Sequence, residues 1–250
     1  GWRQTFMVVG FAALLWLLPW LALTPRKLKS PIPEAQPLTL ARMGALFRNR
    51  DLIGICIGFF CFDYYWFLLV TWLPDYLVNV RHLNLMEAGF SSAVPYFIFG
   101  VSEPIGGWIA DMLVKRGWDE TKTRKSVVGI AFATGLLLIP ASRVDSPTAA
   151  VALIAGASLV GLATGNLLVI LQSCAPHNEV GLWTGVENFI GNLAGILAPL
   201  LTGILIARTG SYAPAFGLAA IVLVLGLVGY WFIVGELKHP DHIHQNPVDG

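Results

Sequence analysis

Seven stretches of roughly twenty apolar residues, separated by short charged segments, leave this chain very few ways to fold. They run approximately Phe6–Leu23, Leu52–Val78, Ala88–Ala110, Val127–Ala141, Thr148–Cys174, Gly181–Ala207 and Tyr212–Val234. A helix of about 20 residues crosses the ~30 Å hydrocarbon core of a bilayer. Lipid offers no partner to an exposed N–H or C=O, so the spans must be helices, whose backbone bonds are internal. Of the 250 residues, 56% are hydrophobic and only 12% are charged, against about 25% charged in a soluble domain. The expected fold class is an all-α polytopic membrane helical bundle with seven spans, and the lipid bilayer is its first partner. A net charge of +1 gives no electrostatic case for nucleic acid. Cys56, Cys61 and Cys174 lie in or at the end of spans, without metal-ligand spacing or a nearby His. They read as small apolar side chains, and no metal or cofactor is expected.

Basic residues set the orientation. Twelve Lys and Arg fall in the segments Thr24–Asp51 and Asp111–Ser126 and in the tail, and four fall on the other side. The positive-inside rule places the twelve, and with them the C-terminus, in the cytoplasm. An odd number of crossings then puts Gly1 outside. That start suggests an odd number of spans upstream, and hence an absent N-terminal bundle of the same chain. The segment "TPRKLKSPIPEAQPLTLARMGALFRNRD" is far longer than the other connections and carries four prolines, as a linker between bundles would. Its "LTLARMGALF" reads as a short amphipathic helix on the membrane surface. The expected organisation is residues 1–23 as the last helix of an N-terminal bundle and 24–51 as a cytoplasmic linker. Residues 52–236 form a six-helix bundle and 237–250 a cytoplasmic tail.

Between the second and third of those six helices stands "GGWIADMLVKRG". Gly107, three residues, Asp111, then Lys115, Arg116 and Gly117 resemble the loop signature of the major facilitator superfamily, with Met112 where a basic residue is usual. The stretches "GWRQTFMVVGFAALLWLLPW", "YYWFLLVTWLPDYL" and "ENFIGNLAGILAPLLTGIL" are similar to the anion:cation symporter branch of that superfamily. Its members carry sugar acids, other carboxylates or similar organic anions with protons or sodium. The resemblance implies secondary active transport of a small organic anion in the cell (inner) membrane by alternating access, with proton symport as the leading mode. It also implies a gating role for Gly107, Asp111 and Arg116. A carboxylate at this end of a span would meet the positive N-terminus of a helix in the absent half, while Gly106 and Gly107 allow close approach.

Polar groups inside spans carry the remaining chemistry. Cys61, Tyr64, Leu68, Thr71 and Asp75 recur at helical spacing as one stripe, with Tyr65 beside it. Tyr64 and Tyr65 are candidate substrate donors, with packing as the other reading. Asp63, away from that stripe among aromatic residues, and Glu103, beside Pro104, are candidate proton carriers, with structural roles as alternatives. Gly161 and Gly165 share a face with Gln172, a further candidate substrate contact, and Asn166 lies to its side. Thr184, Asn188, Gly191 and Asn192 share another face. In the family this span borders the cavity, which makes Asn188 the foremost substrate contact, with Asn192 beside it. Glu187 is assigned to the helix N-terminal end. None of the spans so delimited contains Lys or Arg, so an anion's basic partner is expected in the absent half. No nucleophile–base or paired-acid cluster suggests an enzyme. The alternatives are a sugar, phosphate-ester or drug carrier of another branch, or a non-transporting sensor on the same fold.

Overall fold

The computed structural model describes residues 1–24 and 39–237. Much of the expected linker and all of the tail after Leu237 lie outside the described residues. The chain divides into two compact units, residues 1–37 and 38–250, and each is considered by itself. Among the described residues, seven helices are long and apolar enough to cross a membrane, and the all-α polytopic reading holds.

The first unit contains one such helix, α1 (Trp2–Leu23), with an irregular turn at residues 15 and 16. Its Phe6, Val8, Phe11, Leu14 and Leu21 are exposed within the unit. A helix apolar on every side suits lipid or the interior of a larger bundle.

The second unit opens with α2 (Leu40–Leu46), the short helix read from "LTLARMGALF". Thr39 caps it by accepting from Arg42 N–H at 3.3 Å. The Arg42 side chain pairs with Glu179 at 2.9 Å, which ties α2 to the start of a membrane helix. Six long helices follow: α3 (Arg50–Asn79), α4 (Leu85–Lys115), α5 (Glu120–Ala141), α6 (Pro147–Cys174), α7 (Val180–Thr209) and α8 (Ala213–Ile233).

Several of these outrun their apolar cores because polar residues cap them. Asn49 and Asn84 start α3 and α4, the latter through a reciprocal capping box with Glu87. Asp119 starts α5 by accepting from Lys122 N–H at 2.7 Å. Helix α5 therefore begins seven residues before the expected Val127, which brings Arg124 and Lys125 inside a span and buries both. The expectation that the spans hold no Lys or Arg is corrected by that cap.

Helix α3 is the most buried span, with Ile55, Leu68, Leu69, Leu73 and Leu77 at the core. Helices α7 and α8 flank it. Small residues let the seams close, as they must where apolar association gains little from leaving lipid. A Cβ on Gly106 of α4 would lie 1.9 Å from the Leu162 carbonyl oxygen of α6, and one on Gly161 would lie 2.6 Å from that of Phe99. Helix α6 is not uniform: Ser158–Ala163 at its centre is a 3₁₀ segment. Helix α8 ends in a π turn, Gly229–Ile233.

The helix ends are closed by side chains. At one end of the bundle, Arg50 donates to the Phe232 carbonyl, Lys125 Nζ to that of Val234 at 2.6 Å, and Gly235 N–H to Asp51 Oδ1 at 2.7 Å. At the other, Arg81 donates to the carbonyls of Ala141 at 2.8 Å and Val144 at 2.6 Å.

There too Tyr212, just before α8, donates to Asp75 of α3. Burial, and then Asp75 itself, push the Tyr212 phenol well above its ordinary value. A raised pKa means the folded state holds this proton more tightly than the unfolded state. The phenol's contribution to stability is complete below the unfolded value, about pH 10, and declines as pH rises beyond it. Tyr212→Phe should therefore lower the melting temperature at neutral pH and flatten its decline above about pH 10. Melting curves of both proteins across alkaline pH check this.

Candidate functional site

The polar stripe of α3 is a helix seam along much of its length. Gly226 of α8 packs on it, with a Cβ there 2.7 Å from Cys61 Cβ, while Asp75 reaches Tyr212. Tyr64 and Tyr65 are buried at 2% and 0% exposure, the hydroxyl of Tyr64 lying toward Thr202 of α7 and that of Tyr65 toward Ser158 of α6. The Tyr64 ring lies against Phe60, and the Tyr65 ring would be 3.4 Å from a Cβ on Gly135. Both phenols point into the bundle, so the seam orders them more than any open surface does.

Helix α7 is different. Asn188 and Asn192 are exposed on it, and Asn192 Nδ2 donates to the Asn188 backbone carbonyl at 2.8 Å. That bond holds the Asn192 amide along its own helix, and Asn188 keeps its side chain on the open face. Gln172 is exposed at the end of α6. It lines a cavity of about 330 Å³ together with Asn49, Asp51, His177 and Glu236. The structure thus brings Asn188 and Asn192 together and places Gln172 in a separate, charged cavity near the helix ends.

Glu103 is half-buried on α4, one turn before Gly107, and a Cβ on Gly165 of α6 would lie 3.7 Å from its carbonyl oxygen. Asp63 is buried against α7, with Oδ2 2.7 Å from where a Gly191 Cβ would stand. Glu187, expected at a helix end, is instead buried in the bundle. Its position on the inner face of α7, four residues before Gly191, accounts for the difference.

The Gly107–Arg116 region is organised from within the chain. Gly106 makes the close approach to α6, while a Cβ on Gly107 would meet nothing within 4 Å. Arg116 is exposed at the end of α4. Asp111 pairs with Arg124 Nη2 of α5 at 2.9 Å and keeps 55% of its side chain exposed. Arg124 also holds Glu120 at 2.8 Å and Asn166 Oδ1 at 3.3 Å. Asn166 is fully buried and donates to the Gly106 carbonyl at 3.1 Å. One guanidinium therefore joins α4, α5 and α6. From sequence alone Asn166 falls beside the Gln172 face and Arg124 falls in the loop Asp111–Ser126. The Asp119–Glu120 pair, a cap followed by a first-turn acid, was the signal that α5 begins there. Arg124 and Lys125 are both committed to protein partners, so neither is offered as an anion-binding cation in this arrangement.

Six long helices seamed by glycines, with amides on an open helix face, are the architecture of a membrane carrier's half. The sequence profile described as the Major Facilitator Superfamily matches residues 1–199. The chain belongs to the major facilitator superfamily, a family of membrane transporters rather than enzymes. It is 34% identical over 200 residues to the Bacillus subtilis uncharacterized transporter YybO, covering 77% of this chain and 45% of that protein. With the D-galactonate transporter of Escherichia coli it shares 30% over 263 residues, covering 95% of this chain and 60% of that one. With the probable galactarate/D-glucarate transporter GudP of B. subtilis it shares 27% over 262 residues, covering 95% and 57%. The chain spans about half the length of the curated relatives it matches.

Proposed function

We propose that this chain supplies the C-terminal bundle of a secondary carrier for small organic anions of the sugar-acid class, coupled to protons. The observation that carries the reading is the 95% coverage of this chain by two relatives named for galactonate and for galactarate/glucarate. Carriers of this superfamily rock two six-helix halves around a site at the bilayer midplane. The open face of α7 with Asn188 and Asn192 suits such a site, because primary amides donate and accept hydrogen bonds to hydroxyls and carboxylates alike. A second bundle, with α1 as its last helix, would bring the anion's cation. The end carrying Arg50, Arg124 and Lys125 faces the cytoplasm by the distribution of basic residues, in the inner membrane if the host is a two-membrane bacterium. Asp63 or Glu103 is the candidate proton carrier on this side of the site.

The test is uptake of labelled D-galactonate, galactarate or glucarate by vesicles containing the carrier with both bundles. Accumulation against the gradient under an inward proton gradient is expected. Equilibration without accumulation indicates a channel, and uptake of a neutral sugar or phosphate ester in their place indicates another branch. Asn188→Ala should weaken accumulation and substrate exchange together. One or two lost hydrogen bonds cost roughly 0.5–1.5 kcal/mol each, which is about 2- to 13-fold in apparent affinity per bond. Unchanged affinity would remove α7 from the binding face.

A further inference from the structure

Between α3, α7 and the π turn of α8 lies a polar cluster that the open face of α7 does not use. Asp63 and Glu187 are both buried there, Glu187 to 2% exposure. As first and fifth of six successive crossings, α3 and α7 run in the same direction. Gly191 of α7 sits against Asp63 and Phe59 of α3 so tightly that its Cβ would fall within 2.7 Å of Asp63 Oδ2. Glu187, one turn earlier on the same inner face of α7, is buried in the same seam.

Two polar atoms in this cluster have no hydrogen-bond partner among the described residues: Glu187 Oε1 and the hydroxyl of Tyr230. Tyr230 is completely buried on the π turn, and its ring presses on Gly58, where a Cβ would lie 2.1 Å from Cε2. The titratable groups in the neighbourhood of Tyr230 are Glu187, Cys56, Cys61 and Asp63. The titratable groups that these three helices bring to the seam are thus Cys56, Cys61 and Asp63 on α3, Glu187 on α7 and Tyr230 on α8. None is a cation. The buried cations Arg124 and Lys125 are engaged with Asp111, Glu120, Asn166 and the Val234 carbonyl.

We propose that Asp63 and Glu187 form one proton-holding site inside this bundle, with the Tyr230 hydroxyl as its polar partner. Two carboxylates sharing a low-dielectric seam cannot both stay ionised. A proton between them turns one oxygen into a donor for the other acid and relieves the unpartnered Glu187 oxygen. The phenol can then donate to whichever oxygen is left. With one proton the pair carries a single negative charge, which a second proton or a nearby cation would neutralise. Among the described residues no group of three His, Cys, Asp or Glu could hold a metal ion, and a proton is the ligand that two acids and a phenol accommodate. Use of this proton in coupling rests on the transport reading above; its presence does not.

Infrared difference spectra of the purified chain in nanodiscs, in H₂O and D₂O across pH, test the site directly. A protonated-carboxyl C=O band that persists at neutral pH and shifts in D₂O is expected. Glu187→Gln and Asp63→Asn should each abolish or displace it, and Tyr230→Phe should move its frequency. A wild-type spectrum without such a band at neutral pH overturns the proposal, and so does a band that both amide variants leave unchanged. Loss in Glu187→Gln with no change in Asp63→Asn overturns the shared site. A titration displaced by sodium but not by potassium overturns the proton as ligand. Should either amide variant fail to fold, the wild-type titration and the Tyr230→Phe spectrum still decide. A carrier that takes up no sugar acid would leave this band in place, which separates failure of the site from failure of the transport reading.

Discussion

Gly106→Val should leave almost no correctly assembled bundle. A Cβ at this position would stand 1.9 Å from the Leu162 carbonyl oxygen and 2.5 Å from its carbon. Both partners are backbone, so no rotamer change can make room, and α4 and α6 would have to separate. Separation also breaks the bond from Asn166 Nδ2 to the Gly106 carbonyl, leaving that buried amide only its Leu162 and Arg124 partners. Overpacking a tight core costs typically about 1–3 kcal/mol, and this site lies at the upper end or beyond because the clash cannot be relieved locally. Loss of monodisperse protein on size-exclusion chromatography in mild detergent is the expected readout. Gly107→Ala is the internal comparison: one residue on, a Cβ meets nothing within 4 Å, and that variant should elute and melt like the parent. Normal assembly of Gly106→Val would mean that the α4–α6 seam is looser than its geometry.

Arg124→Gln should produce the second large effect. Its guanidinium holds Asp111, Glu120 and Asn166 on three helices, and the side chain is only 8% exposed. Removing one member of a buried ion pair costs roughly 3–5 kcal/mol. Asp111 is 55% exposed and can be rehydrated, so a loss of about 2–3 kcal/mol is the appropriate expectation. Asp111→Asn should cost less than about 1 kcal/mol, because Arg124 keeps its other partners and the lost pair is half solvated. The order of melting temperatures, parent close to Asp111→Asn and both well above Arg124→Gln, checks the hub. Equal losses in the two variants would make Asp111 the centre instead.

The number and approximate position of the spans follow from apolar length alone, since lipid permits one solution for each run. The start of α5 does not, because Lys122, Arg124 and Lys125 look like a loop until the Asp119 cap and the partners of each cation are seen. Helical spacing placed Tyr64, Cys61 and Asp75 on one face of α3 correctly, yet spacing does not say what the face touches. Gly226 and Tyr212, some 150 residues away, supply that answer. Asn188 and Asn192 lie on the outer side of α7, and Glu187 lies on its inner side, although the three are neighbours in sequence. A buried acid carries no mark in the sequence that distinguishes it from one at a helix end; the difference is the azimuth of α7 against α3. Gln172 was grouped with Gly161 and Gly165 on the assumption of one continuous α-helix, and α6 is not continuous.

The 3₁₀ segment Ser158–Ala163 stores both length and twist. Relative to α-helix, six such residues rise about 3 Å further and wind about a third of a turn more. Reversion of this stretch to α-helix would draw the two halves of α6 together by that distance. It would also swing the half that ends at Gln172 through that angle relative to the half that begins at Pro147. Yet Gly161 is clamped on Phe99, and Asn166 on Gly106, on either side of the segment's end. Neither rotation nor shortening can therefore happen in α6 alone. A change of shape that passes through this joint must carry α4 with it, so the two helices form one mechanical couple.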